Sequence, residues 1–201
     1  MRRRARHRRQ RRRMLKIAGI TASAAIVITG ALAVVGVLTA TRSDAYCVDE
    51  PRTFPDAGVD GWQGEQLENA AIIIRTADEF GLERDGQILG VMAAMGESSL
   101  RNIDYGDWET SGVTNPDGTR TSSIGLFQQQ DWWGSVEDRM DPATAARLFF
   151  TRLERVPQWQ TLEPSHAIHR VQINSDRDHY ARFEDDATRV VVALSAECPS
   201  P

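Results

Sequence analysis

Ile88-Leu89-Gly90-Val91-Met92-Ala93-Ala94-Met95-Gly96-Glu97-Ser98 stays apolar on every side until its last two residues, as a helix buried all round would. Other stretches supply helices around it. Glu65 to Phe80 sets Ala70, Ile73, Ile74, Ala77 and Phe80 near helical spacing, with Gly81 to end the run. Asp85 is placed to N-cap the buried helix. Asp141-Pro142 opens a further helix with Ala146, Leu148, Phe149, Phe150 and Leu153 as its buried stripe. Pro164 starts a shorter one to about Ile173. Asp176 to Ala196 is expected to form the last, with Tyr180, Phe183, Ala187, Val190, Val191 and Leu194 facing inward. Asn102 to Thr121 is polar and turn-rich, with Asn115-Pro116-Asp117-Gly118 as a turn signal. No run alternates cleanly with period two, so the expected fold class is mostly α.

Upstream, the chain divides by charge. Residues 1–16 hold ten of the 24 basic residues and no acid, and Ile17 to Thr41 carries no charge. At about 1.5 Å per residue that run exceeds a hydrocarbon core of roughly 30 Å. The expected organisation is a basic cytoplasmic tail (1–16), a transmembrane helix (17–41), a linker rich in Pro and Gly (42–64) and a domain (65–201). Arginines on one side only place the N-terminus in the cytoplasm and the domain outside a single-pass cell-membrane anchor. A cleaved signal peptide is the competing reading, but the run is longer than a usual h-region and Ser43-Asp44-Ala45 is a mediocre cleavage site. Beside a membrane span the arginine run reads as a topology and anionic-lipid signal rather than a nucleic-acid arm, so no nucleic-acid partner is expected. From Ser43 onward 13 basic residues face 28 acids, a formal charge of −15.

Cys47 and Cys198 stand near opposite ends of the exported part, too far apart in sequence for a zinc knuckle or a Cys-x-x-Cys redox site. Outside the membrane a disulfide between them is expected, tying the two ends together. His166, His169 and His179 lack an acidic partner in a recognised metal pattern, and no Gly-x-Ser-x-Gly elbow, P-loop or His-Glu-x-x-His occurs. Neither a metal nor another cofactor is expected.

Burial of a carboxylate at the end of an apolar helix raises its pKa, which suits a general acid near neutral pH. The plain alternative, a capping or ion-paired Glu97, is weakened because a helix C-terminus disfavours an anion. Three segments resemble the lysozyme-like lytic transglycosylases, and most closely modules of Gram-positive cell-wall enzymes. They are Gly96-Glu97-Ser98-Ser99-Leu100-Arg101-Asn102, Ser123-Ile124-Gly125-Leu126-Phe127-Gln128-Gln129 and Met140-Asp141-Pro142-Ala143-Thr144-Ala145-Ala146. The resemblance spans roughly residues 88–171 and implies a lysozyme-like helical domain acting on peptidoglycan glycan strands. It implies Glu97 as the acid, Ser98 holding the turn behind it, and Ser123, Gly125, Gln128 and Gln129 along the glycan groove. It departs at Phe127, where methionine is commoner, and in the long loop from Asp104 to Ser122. The family's tyrosine that touches the acid has two candidates here, Tyr105 and Tyr180.

Trp132 and Trp133 read equally as sugar-stacking faces or core filling. Arg101 and Arg139 could meet peptide carboxylates, with solvated surface charge the better reading. A transglycosylase needs one carboxyl group, whereas an inverting hydrolase needs a second about 6.5–9.5 Å away, for which Asp104, Asp107 and Asp117 are candidates. The resemblance favours the transglycosylase, forming a 1,6-anhydro ring. The rival class is a non-catalytic wall-binding module of a conjugation or secretion machine, which has no need of an acid at position 97.

Overall fold

The computed structural model describes Cys47, Phe54 and residues 56–195. The expected tail and transmembrane helix, residues 1–41, lie outside these. Among the described residues no helix is long and apolar enough to cross a membrane.

Among the described residues the fold is all-α, with seven α-helices and no strand beyond isolated bridges. These are α1 (Glu65–Glu79), α2 (Arg84–Ser98), α3 (Asp107–Ser111), α4 (Val136–Met140), α5 (Pro142–Leu153), α6 (Pro164–Gln172) and α7 (Glu184–Leu194). The apolar stretch is α2, and it is the hub: α1, α6 and α7 all pack on it, and α1 also packs on α5. Val91, Met92, Ala93, Ala94 and Met95 are buried in succession, which leaves no solvated face on that part of the helix. Phe149 of α5 stacks on Phe127 with ring centroids 5.1 Å apart, and meets Phe150 edge-on at 5.4 Å.

Helix ends follow the local chemistry, with two corrections. Asp141 caps α5 by accepting from the Thr144 backbone N–H at 2.8 Å, with Pro142 in the first turn. Asp85, expected as the cap of α2, instead lies in its first turn, where its charge meets the positive end of the helix dipole; Glu83 holds the cap position without a side-chain bond. The last helix begins eight residues later than expected. Residues 177–180 form turns, a 3₁₀ turn spans Ala181–Phe183, and α7 starts at Glu184. Asp176 holds this turn by accepting from the Asp178 N–H at 2.9 Å, a local bond that competes with helix.

The segment read as a linker is partly structure. Val59 and Trp62 exchange backbone hydrogen bonds of 2.8 and 2.9 Å, and with Phe54 they pack against the core. Cys47 is buried and forms an antiparallel bridge with Ser195. Cys198, its expected disulfide partner, lies outside the described residues.

Candidate active site

Glu97 occupies the last turn of α2 and is half-buried. Burial is the main influence on its carboxyl, lifting the pKa from an ordinary 4.5 to about 7 against the opposing hydrogen bond from Tyr180, while the charge of Asp107 adds a smaller push upward. The Tyr180 hydroxyl donates to Oε1 of Glu97. Burial and the adjacent carboxyl together raise that phenol well above its usual range, so it remains a proton-bearing donor.

The ring of Tyr180 reaches Glu97 because residue 96 is glycine. A β-carbon there would stand 2.5 Å from Tyr180 Cδ1 and 2.9 Å from Cε1. Tyr180 is fully buried, its ring meets His179 edge-on at 4.8 Å, and its backbone N–H donates to Ser165 Oγ at 3.1 Å. Of the two candidate tyrosines the structure brings only this one to Glu97. Tyr105 is 46 % exposed, and its backbone carbonyl accepts from Gln128 Nε2.

Behind Glu97 the chain turns through a strained link. Ser99 and Leu100 both adopt left-handed backbone, φ 56° and 58°, conformations that side-chain-bearing residues avoid. Polar side chains hold the link in place. Gln66 Nε2 of α1 donates to Ser99 O at 2.9 Å, and Asn69 Nδ2 donates to Leu100 O at 2.8 Å. Ser98 Oγ accepts from the Arg101 N–H at 3.2 Å and donates to Leu126 O at 2.7 Å. That last bond ties the end of α2 directly to the Gly-Leu-Phe-Gln turn. Gln66 and Asn69 escaped the sequence reading; the one available signal was a polar Asn69 on the apolar face of α1.

The Ser123–Gln129 segment is a tight turn closed by reciprocal Ile124–Gln129 backbone bonds of 3.2 and 3.0 Å. Gly125 has φ 77°, and a β-carbon there would stand 2.1 Å from the Arg139 carbonyl oxygen, so only glycine fits. Leu126 and Phe127 point into the core, and Gln172 Nε2 of α6 donates to Phe127 O at 3.0 Å. Gln128, half-buried at φ 47°, donates through Nε2 to Tyr105 O and Gly125 O, both at 3.2 Å.

Several expected groove residues are turned inward. Gln129 is 1 % exposed and donates to Ala145 O at 2.9 Å; its amide holds the turn on α5 and is closed to an external sugar. Ser123 is also buried. Arg139, read mainly as solvated charge, is buried and donates to the carbonyls of Ser122, Gln129, Gly134 and Ser135 at 2.8–3.3 Å. A planar fork with five donors can gather carbonyls that a lysine could not. The two tryptophans separate: Trp133 is buried with the Arg152 guanidinium 3.5 Å from its ring centroid, and Trp132 is 58 % exposed. Among the described residues, His166 bonds Asp178 at 2.8 Å, His169 bonds Asn174 at 2.7 Å, and His179 bonds Gly96 O at 3.4 Å. No family model matches this chain, and no curated protein matches it.

Proposed function

We propose that this protein is a peptidoglycan-cleaving enzyme of the lysozyme-like type, with Glu97 as its acid, working as a lytic transglycosylase at the bond between N-acetylmuramic acid and N-acetylglucosamine. The observation that carries the reading is the Glu97 carboxyl: raised to about 7 by burial and held by a hydrogen bond from Tyr180. A structural carboxylate is normally stabilised in its charged form. One with its midpoint near neutrality can give a proton and take one back.

Tyr180 occupies Oε1, which leaves Oε2 to carry the exchangeable proton. Glu97 gives that proton to the glycosidic oxygen as the C1–O bond breaks, and the leaving sugar departs as an alcohol. The resulting carboxylate keeps the Tyr180 hydrogen bond, which stabilises the anion at the moment it forms. The same carboxylate then removes the proton of the muramic acid 6-hydroxyl as O6 attacks C1, which closes the anhydro ring and restores the acid. One group serves both steps.

Asp107 supports a second reading. Of Asp104, Asp107 and Asp117, it is Asp107 whose charge pushes the Glu97 carboxyl upward. In a hydrolytic muramidase it would activate water. Product analysis separates the two. Purified wall digested by the wild type should yield anhydro ends, and Asp107→Asn should cleave within a few-fold of wild type. Reducing ends, together with a large loss in Asp107→Asn, would make the enzyme a hydrolase.

The anchor expected at residues 17–41 would hold this activity at the outer face of the cell membrane. A Cys47–Cys198 disulfide would staple the domain's ends, and the Cys47–Ser195 bridge supports it by bringing Cys47 to within three residues of Cys198 along the chain.

A further inference from the structure

Resting on Glu97 as the reacting acid, we propose that His169 is a positioning residue for it, acting through Asn174 and Tyr180. The four side chains form one hydrogen-bonded line. His169 Nδ1 lies 2.7 Å from Asn174 Oδ1, Asn174 Nδ2 donates to the Tyr180 hydroxyl oxygen at 2.9 Å, and that hydroxyl donates to Glu97.

The line matters because the phenol has one proton and two potential acceptors. An asparagine side chain presents either its N–H or its carbonyl oxygen to a neighbour. With Nδ2 toward Tyr180, the phenol's oxygen is used as an acceptor and its proton is free for Glu97. With the amide reversed, Oδ1 would compete with Glu97 for that proton. The choice is made at the far end of the amide. A proton on His169 Nδ1 requires Oδ1 to face it, which turns Nδ2 toward Tyr180. Every bond then donates in the direction of Glu97, and each donation polarises the next.

The backbone is shaped to make this contact. His169 lies in the last turn of α6. Ile173 follows at φ 57°, 76 % exposed, with its N–H donating to His169 O at 2.8 Å. A β-branched residue in left-handed backbone is costly and gains little from an exposed side chain. The turn it makes brings Asn174 back beneath the imidazole. Around the ring stand His166, Arg170 and Arg177, which line one surface hollow with His169, and Asp178, whose carboxylate bonds His166 at 2.8 Å.

The test uses the full chain with ¹³C-labelled glutamate side chains. Glu97→Gln identifies the Glu97 signal, and its titration midpoint is followed alongside kcat and KM on purified wall. The wild-type midpoint should fall at about 7. Tyr180→Phe removes a hydrogen bond to a charged group and should raise the midpoint by about one to two pH units. His169→Phe keeps the ring's bulk without the N–H; it should raise the midpoint in the same direction by part of that amount and lower kcat with KM little changed. His169→Asn, which returns an N–H near the Nδ1 position, should restore both toward wild type. Asn174→Ala should reproduce the His169→Phe shift, and decides the matter if His169→Phe does not fold. A midpoint and kcat unmoved in His169→Phe, or in Asn174→Ala, would overturn the proposal. Wild-type protein that leaves the wall uncut would instead overturn the enzymatic reading, while the midpoints still report whether His169 acts on Glu97.

Discussion

The end of α2 and the segment from Gly106 to Asp141 treat carboxyl groups in opposite ways. In the segment, acids close turns and cap helices. Glu109 accepts from the Gly106 N–H at 3.0 Å, Asp117 from Thr119 Oγ1 at 2.6 Å, Asp138 from Ser135 Oγ at 2.7 Å, and Asp141 from the Thr144 N–H at 2.8 Å. These hydrogen bonds hold all four below the ordinary carboxylate range. Glu97 has a phenol donor, but burial outweighs it and its pKa moves the other way. An acid engaged in capping is charged near neutrality and has no proton to give. One buried on an apolar helix is kept partly protonated, and chemistry follows from that difference.

The sharpest way to break the contrast is to remove the charge at Glu97. Its folded pKa of about 7 lies above its ordinary 4.5, so between these values the folded protein keeps a proton that the unfolded chain has lost. Stability therefore falls as pH rises through that window and levels off above it. Glu97→Gln has no such dependence. Denaturant unfolding should find the variant close to wild type near pH 4.5 and more stable at pH 8, by up to about 3 kcal/mol. Equal differences at both pH values would mean that burial does not oppose the charge.

Gly96→Ala sharpens the packing side. Its new β-carbon meets the Tyr180 ring at 2.5 Å, and overpacking of this kind costs about 1–3 kcal/mol, offset by up to about 1 kcal/mol from alanine's helix propensity. Thermal unfolding should show a net loss, and wall cleavage should fall as the phenol is pushed off Glu97. Asp141→Ala works on the capping side. It should cost about 1 kcal/mol, and that contribution should already shrink in wild type as pH drops through and below the ordinary aspartate value of 3.8, since a cap with a depressed pKa is lost on protonation. Cleavage near neutral pH should stay close to wild type.

Much of this contrast is legible in the chain. The unbroken apolar run ending in Glu97 gives both the central helix and the perturbed acid. Asp141-Pro142 gives a cap that the structure bears out. The side chains that hold the acid are harder to see, because they act across long stretches of sequence. Tyr180 stands 83 residues from Glu97, and although helical spacing turns it inward, nothing in the chain ties it to the acid. Gly96 was the available signal: a glycine inside a helix, beside the acid, costs stability unless something must pass close by. Gln129 misled for a related reason. The resemblance set it along the glycan groove, yet the tight Ile124–Gln129 turn directs it inward to the Ala145 carbonyl on α5. Asn174 and His169 carry no pattern at all. Their alignment depends on the left-handed turn at Ile173, where an isoleucine is not the residue a turn would announce.

The most direct test of the central claim is the rate at which wild type and Glu97→Gln release soluble fragments from purified peptidoglycan near pH 7, with circular dichroism confirming that both are folded. The amide keeps the side chain's shape but cannot donate a proton at a useful pKa, so the variant should lose at least about 10²- to 10⁴-fold in rate. A folded Glu97→Gln protein that digests the wall as fast as wild type would contradict the account.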